Sequence, residues 1–133
     1  MNEFECKRLE ELARGIALNA YAPYSKFRVG VALTTASGKV FTGVNLENAS
    51  YGLTLCAERS ALAAAVSAGE REVVAICVAC IDAPKEAKVQ EKLPCGACRQ
   101  WIQELAPTAA IIIAGESQIF QIKDLLPLAF ELR

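Results

Sequence analysis

The chain has 133 residues, of which 53% are hydrophobic, and its 14 basic and 15 acidic side chains give a net charge of −1. This length fits one core, so residues 1–133 are expected to form a single domain. The charge offers no basic surface for a polynucleotide, and no apolar run approaches the roughly 20 residues of a membrane span, so neither a nucleic acid nor a membrane is an expected partner.

The six cysteines and the absence of histidine restrict the chemistry. The charged, amphipathic start lacks the basic end and apolar middle of a secretory signal, so a cytoplasmic location with reduced thiols is expected. In a reducing compartment, spaced cysteines bind metal or do chemistry more often than they form disulfides. Any metal site must use thiolates or carboxylates, and any general base must be Glu, Asp, Lys, Tyr or Cys.

The first half of the chain predicts a helix and then a hairpin. Apolar side chains on one helical stripe predict an amphipathic helix over residues 4–20. Two apolar runs, 28–35 and 40–45, are separated by the turn sequence Ala36-Ser37-Gly38-Lys39 and predict a β-hairpin. Residues 46–55 are polar without a clean period and predict a loop.

The second half alternates helices with buried strands. Strong helix formers predict a helix over 56–68, which Gly69 ends. The β-branched run 73–81 predicts a central strand that is covered on both faces. A charged connection, 82–93, leads to a second helix that opens at the Pro-Cys segment and continues to about residue 105.

The end of the chain predicts two short strands, 110–114 and 118–122, and a helical turn over 123–127. The complete order is helix, hairpin, helix, strand, helix, strand, strand. This order implies an α/β fold in which helices pack on a sheet.

Two cysteine segments carry the chemistry. Pro94 precedes Cys95 and Cys98 in a C-x-x-C pair, and Cys56 leads the other predicted helix, so all three sulfurs are expected near helix N-termini, where the dipole favours thiolate. Three protein ligands leave the fourth position of a zinc ion for water, which marks a catalytic site. Glu58 follows Cys56 by two residues, and zinc deaminases use such a glutamate, in combination with Pro-Cys-x-x-Cys, as a proton carrier.

A rival interpretation uses a second C-x-x-C pair, Cys77 and Cys80. Together with Cys95 and Cys98 it nearly meets the spacing of a four-cysteine structural zinc site, which would make the protein an interaction module. Residues three apart on a strand point to opposite faces, however, so these two thiols could not share one metal. We predict that both are core residues and that Cys6 is a packed helix residue.

Four segments resemble the small homotetrameric cytidine deaminases: YAPYSKFRVG, FTGVNLENASYGLTLCAERSA, PCGACRQ and LLPLAF. They cover most of the chain from Tyr21 to Phe130. The resemblance implies a three-layer helix/sheet/helix sandwich with a mixed five-stranded central sheet. It implies one Zn²⁺ per chain on Cys56, Cys95 and Cys98, and hydrolysis of cytidine and deoxycytidine to uridine and deoxyuridine plus ammonia, in pyrimidine salvage. It also implies a homotetramer with sites completed between subunits.

The same resemblance assigns the other site residues. Glu58 would move protons between water and the pyrimidine, and Arg59 would hydrogen-bond the ligand sulfurs and offset their charge. The implied substrate contacts are Phe27 against the base, the Ala57 N–H at O2, the carbonyl of Leu93 or Pro94 at the amino group, Asn45 and Glu47 at the ribose hydroxyls, and Phe130 from a neighbouring subunit. Taken alone, Asn45 and Glu47 would be turn residues, and the two phenylalanines would be core or interface residues.

Three features test the limits of the resemblance. Leu93 stands where the family shows a small hydroxyl residue, which a backbone contact should tolerate. A deaminase of a cytosine-containing antibiotic shares the zinc motif, but Asn45, Glu47 and the surrounding ENASYG favour a simple nucleoside. A deoxycytidylate deaminase would need a basic cluster for the phosphate, and none stands out.

Overall fold

The structure, a computed structural model, describes all 133 residues, and its elements follow the predicted order. In chain order they are α1 (Glu3–Ala17), β1 (Val29–Thr35), β2 (Val40–Val44), a 3₁₀ turn (Tyr51–Leu53), α2 (Ala57–Ser67), β3 (Val73–Cys80), a second 3₁₀ turn (Val89–Glu91), α3 (Gly96–Leu105), β4 (Ala110–Ile113), β5 (Ile119–Phe120) and α4 (Ile122–Leu125).

One five-stranded sheet, in the order β2-β1-β3-β4-β5, organises the fold. Strands β3 and β4 are parallel, whereas every other neighbouring pair is antiparallel. The sheet is therefore mixed, as expected. Strand β3 lies at its centre, and most of its side chains are buried, as its unbroken apolar run predicts.

Helices cover both faces of the sheet. On one face α1 contributes Leu9 and Ala13 to a buried cluster with residues of β1, β3 and β4, including Cys77. On the opposite face α2 and α3 contribute Leu62 and Ile102 to the larger core. The predicted three-layer helix/sheet/helix sandwich is confirmed.

Glycine lets helix α2 lie directly on strand β2. A Cβ atom at Gly43 would come within 2.4 Å of the Ala61 nitrogen and 2.8 Å of the Ala57 carbonyl oxygen, so no larger residue fits without moving the helix. This contact fixes where α2 begins, and its first residues belong to the metal centre described below.

Three elements differ most from the sequence-based expectation, whereas the strands β1 to β4 and helix α2 differ by one residue at an end. The first helix ends at Ala17, not at residue 20, because the next residues make the shorter hydrogen bonds of a turn: the N–H groups of Asn19 and Ala20 donate three residues back. The fifth strand is only Ile119–Phe120, since as an edge strand it pairs with two residues of β4. The final helical turn consequently starts earlier, at Ile122. No helix has both the length and the apolar character needed to span a bilayer.

Candidate metal centre

Three thiols converge where two helices begin. Cys56 is the N-cap of α2, Cys95 is the N-cap of α3, and Cys98 lies in the first turn of α3. The sulfurs of Cys56 and Cys95 are 3.7 Å apart, those of Cys95 and Cys98 are 3.6 Å apart, and all three lie within 4.8 Å of one another. The predicted convergence of the three thiols at helix N-termini is confirmed.

The spacing of the sulfurs fits a tetrahedral zinc ion. With Zn–S bonds of about 2.3 Å, tetrahedral geometry places two thiolate sulfurs about 3.8 Å apart. The observed separations are close to this value, and the N-terminal ends of both helices favour the thiolate form. Three sulfur donors leave a fourth position open, as in a catalytic zinc site.

The electrostatics of the cluster favour negative charge on one sulfur, that of Cys56. A hydrogen bond from the Cys98 thiol, with a further one from Arg59, lowers the pKa of Cys56 to about 5, against the effect of burial. The bond to Cys56, together with burial, raises the pKa of Cys98. Arg59 Nη2 donates to the Cys56 sulfur and to the Thr54 carbonyl, each at 3.4 Å, while its buried Nε has no partner in the protein. A guanidinium held there offsets thiolate charge.

Glu58 lies in the first turn of α2, immediately beside this cluster. The residue is only 5% exposed. Burial raises the pKa of its carboxyl to about 7, and the neighbouring Cys56 thiolate adds to the rise. A carboxyl with a pKa near 7 can both accept and donate a proton at neutral pH, which is the property that a proton carrier needs.

A cavity of about 280 Å³ opens onto the cluster. It brings together seven of the predicted site residues: Phe27, Asn45, Glu47, Cys56, Ala57, Glu58 and Cys95. A larger cavity of about 410 Å³ lies against α1 and contains none of them. The smaller cavity is the one that combines metal ligands, a titratable carboxyl and polar groups.

Asn45 and Glu47 hold the rim of this cavity by hydrogen bonds. Asn45 is buried, its Oδ1 accepts from the Val29 N–H at 2.9 Å, and its Nδ2 donates to the Phe27 carbonyl at 2.9 Å. The Glu47 carboxylate accepts from the backbone N–H groups of Tyr24 and Ser25, each at 3.0 Å, and from the Ser25 hydroxyl. The hydroxyl bond holds the pKa of Glu47 below its usual range, so the carboxyl stays ionised.

Two of the predicted substrate contacts lie outside this cavity. The Pro94 carbonyl accepts from Arg99 Nε at 2.8 Å, and Arg99 Nη1 also donates to the Leu125 carbonyl at 2.7 Å. Leu93, in contrast, lines the cavity. Phe130 is 71% exposed and borders a separate cavity beside the end of α3.

The remaining cysteines fall on different sides of the sheet. Cys77 is buried against α1, as predicted, and Cys6 packs against the same cluster. Cys80 packs against the core on the opposite face and also borders the cavity, so its prediction as a core residue is only partly right. Strand alternation places it on the same face as Val78, near the end of β3. Cys77 and Cys80 therefore lie on opposite faces of the sheet and cannot bind one metal.

Other cavity residues were not predicted from the sequence. Ser25, Thr54 and Lys92 all line the cavity. Ser25 lies only two residues before Phe27 in the YAPYSKF segment, which was the available signal. Lys92 lies in the charged connection 82–93, for which the sequence suggests no role.

Comparison with known proteins places the chain in a family. Residues 5–114, more than half of the chain, match the model of the "Cytidine and deoxycytidylate deaminase zinc-binding region". The chain belongs to this deaminase family. The matched range includes all three cysteines of the cluster, so the predicted zinc cofactor is confirmed, and the cluster is consistent with one zinc ion on Cys56, Cys95 and Cys98.

Individual members of the deaminase family align over most of their length. A cytidine deaminase of Halalkalibacterium halodurans is 49% identical over 115 residues, which cover 84% of this chain and 83% of that protein. A cytidine deaminase of Mycobacterium tuberculosis is 39% identical over 132 residues, 99% and 94% of the two chains. The crystal structure of cytidine deaminase from Burkholderia pseudomallei superimposes with a TM-score of 0.83 at 45% identity and covers 98% and 100%.

Proposed function

We propose that the protein is a zinc-dependent cytidine deaminase, which hydrolyses cytidine and deoxycytidine to uridine and deoxyuridine plus ammonia in pyrimidine salvage. The observation that carries the proposal is one cavity that opens onto the three-thiol cluster through Cys56 and Cys95 and is also lined by a buried carboxyl with a pKa near 7 and a polar rim. Relatives that are named cytidine deaminases support the same activity.

The chemistry divides between metal and protein. A zinc ion on three protein ligands supplies Lewis acidity that ionises water near neutral pH. Glu58 would take a proton from the water that attacks C4 of the pyrimidine and donate it to N3. It would then move the remaining proton of that water, now on the C4 hydroxyl, to the amino group, which leaves as ammonia while C4 becomes a carbonyl. Since three thiolates and Zn²⁺ sum to a charge of −1, the Arg59 guanidinium offsets the excess charge at Cys56.

The backbone is suited to hold the base. The Ala57 N–H, at the start of α2, would donate to the carbonyl at O2, and the Leu93 carbonyl would accept from the amino group. We prefer Leu93 to Pro94 because Leu93 lines the cavity, whereas the Pro94 carbonyl already accepts from Arg99. The Phe27 ring would pack against the pyrimidine.

The rim is suited to a neutral sugar. Asn45 and Glu47 would bind the ribose hydroxyls, since an amide group and an ionised carboxylate provide both donors and acceptors. Lys92 is the only cation that lines the cavity, and it is paired with Glu116. The cavity lining therefore offers a 5′-phosphate the Glu47 carboxylate but no unpaired cation.

A substrate panel tests this function. We expect loss of cytidine and deoxycytidine absorbance with release of one ammonia per nucleoside. Deoxycytidylate should react at least about 100-fold less efficiently, because its charge is unpaired in the site. Equal or faster deamination of deoxycytidylate, or of a cytosine-containing antibiotic, would contradict the assignment to simple nucleosides.

We also propose that the active unit is a homotetramer in which neighbouring subunits complete each site. Large apolar side chains stand exposed near the cavity, among them Tyr51 at 74% and Leu53 at 72%, and contacts between copies would cover them. Phe130 is exposed in the same way and is free to reach a neighbour's cavity. The six free thiols suit a cytoplasmic location.

Subunit mixing tests the role of Phe130. Phe130→Ala should raise KM about 10-fold without loss of zinc, because an aromatic contact to the substrate is lost. Mixing it with inactive Glu58→Gln protein, which retains Phe130, should restore activity to some sites in exchanged oligomers. Fully active monomers in light scattering would contradict the tetramer. Failure to restore activity despite proven subunit exchange would indicate that Phe130 does not act in the site of a neighbouring subunit.

A further inference from the structure

The end of the charged connection between β3 and α3 forms a wall of the substrate cavity. Glu91, Lys92 and Leu93 line this cavity directly before the metal-binding Pro-Cys segment. Val89 and Leu93 also pack against the hydrophobic core. Residues 91–93 are therefore part of the site, although their sequence contains no recognisable motif.

An ion pair holds this wall. Lys92 Nζ donates to Glu116 Oε2 at 2.7 Å, and only 12% of the Lys92 side chain is exposed. The Lys92 carbonyl is held separately, because it accepts a long hydrogen bond from the Cys80 thiol at 3.9 Å. Both the side chain and the backbone of Lys92 thus have partners in other elements of the fold.

The anchor at the other end of the ion pair is itself held in place. Glu116 lies in the turn after β4, and its N–H donates to the Ile113 carbonyl at 3.0 Å. The preceding Gly115 has a φ of +88°, and its N–H donates to the Glu10 carboxylate of α1 at 2.8 Å. Because α1 and β4 both hold this turn, Glu116 offers Lys92 a fixed partner.

We propose that Lys92 is a positioning residue, whose ion pair with Glu116 sets the place of the next carbonyl, that of Leu93, against the amino group of the substrate. The inference rests on the proposed function. Leu93 lines the cavity, whereas the neighbouring Pro94 carbonyl already accepts from Arg99, and on this ground we assign the contact with the amino group to the Leu93 carbonyl. Small displacements of such a group are costly, since a misplacement of about 1 Å can reduce a rate by about 100-fold.

The test compares Lys92→Met and Glu116→Gln with wild type, using cytidine as substrate and uridine, which has no amino group, as a competitive inhibitor. We expect kcat/KM for cytidine to fall about 10-fold in both variants, with zinc retained. The inhibition constant of uridine should change less than about threefold, because uridine carries a carbonyl oxygen at C4 and so has no amino group there for the Leu93 carbonyl to accept from. Lys92→Arg should restore most of the activity, and Lys85→Met, on the exposed part of the same connection, should behave as wild type.

The outcomes separate this proposal from the function on which it rests. Wild-type protein that fails to deaminate cytidine refutes the proposed function alone. Hydrogen exchange across residues 88–94 is independent of activity: it should rise in Lys92→Met, and unchanged exchange would overturn the positioning role. Equal losses for cytidine and uridine would also overturn it, because they would indicate a general loosening of the cavity.

Discussion

The variant Glu58→Gln is expected to bind zinc and substrate but to lose turnover by about 10³-fold or more. One positioned proton carrier supplies about 10²- to 10⁴-fold, and here the same carboxyl serves the attacking water, N3 and the leaving amino group. Glutamine keeps the size of the side chain but cannot take up or release the proton. The measurements are kcat for cytidine, zinc content and the affinity for uridine.

A matched control uses a glutamate on α3, the helix that packs beside α2 on the same face of the sheet. Glu104 lies on α3 and is exposed, so Glu104→Gln should leave kcat unchanged. Near-normal turnover in Glu58→Gln would remove Glu58 from the mechanism. Loss of zinc from the variant would instead indicate that the carboxylate contributes to metal binding, which the cluster of three sulfurs does not require.

Periodicity and residue type predict the fold well wherever one face of an element is buried. The β-branched run of β3 and the alanine-rich α2 both lie within one residue of their predicted bounds. The first helix is overestimated because residues 18–20 contain no glycine or proline that would end it, whereas the Tyr21 N–H donates to the Asn45 carbonyl and draws the chain towards β2. That contact spans 24 residues, which local patterns do not report.

The same distinction between local patterns and contacts of distant residues applies to the site. The placement of Cys56 and Glu58 at one helix start, and of the pair Cys95 and Cys98 at the other, is predictable because spacing within one helix turn determines the geometry. Lys92 is not, because its role depends on Glu116, a partner on a turn 24 residues away. The assignment of Leu93 in preference to Pro94 is a similar case, since only the folded chain shows which carbonyl Arg99 occupies.

One zinc ion per chain is the expected metal content of purified protein, and Cys98→Ala should lose both the zinc and the activity. Cys98 is fully buried, so its loss removes one of three thiolates, and the cluster contains no fourth cysteine or histidine to replace it. Because metal binding adds to folding free energy, the melting temperature should fall as well. Elemental analysis and thermal unfolding measure the two effects.

The double variant Cys77→Ala, Cys80→Ala decides between the two possible cysteine sets. Cys77 faces α1 and Cys80 faces the cavity on the other side of the sheet. The two thiols therefore cannot join Cys95 and Cys98 in one four-sulfur site. The double variant should therefore keep one zinc per chain, even if the altered cavity wall changes KM. Loss of zinc from this variant, together with retention in Cys56→Ala, would favour a four-cysteine structural site, and the open metal position on which the proposed deamination depends would no longer exist.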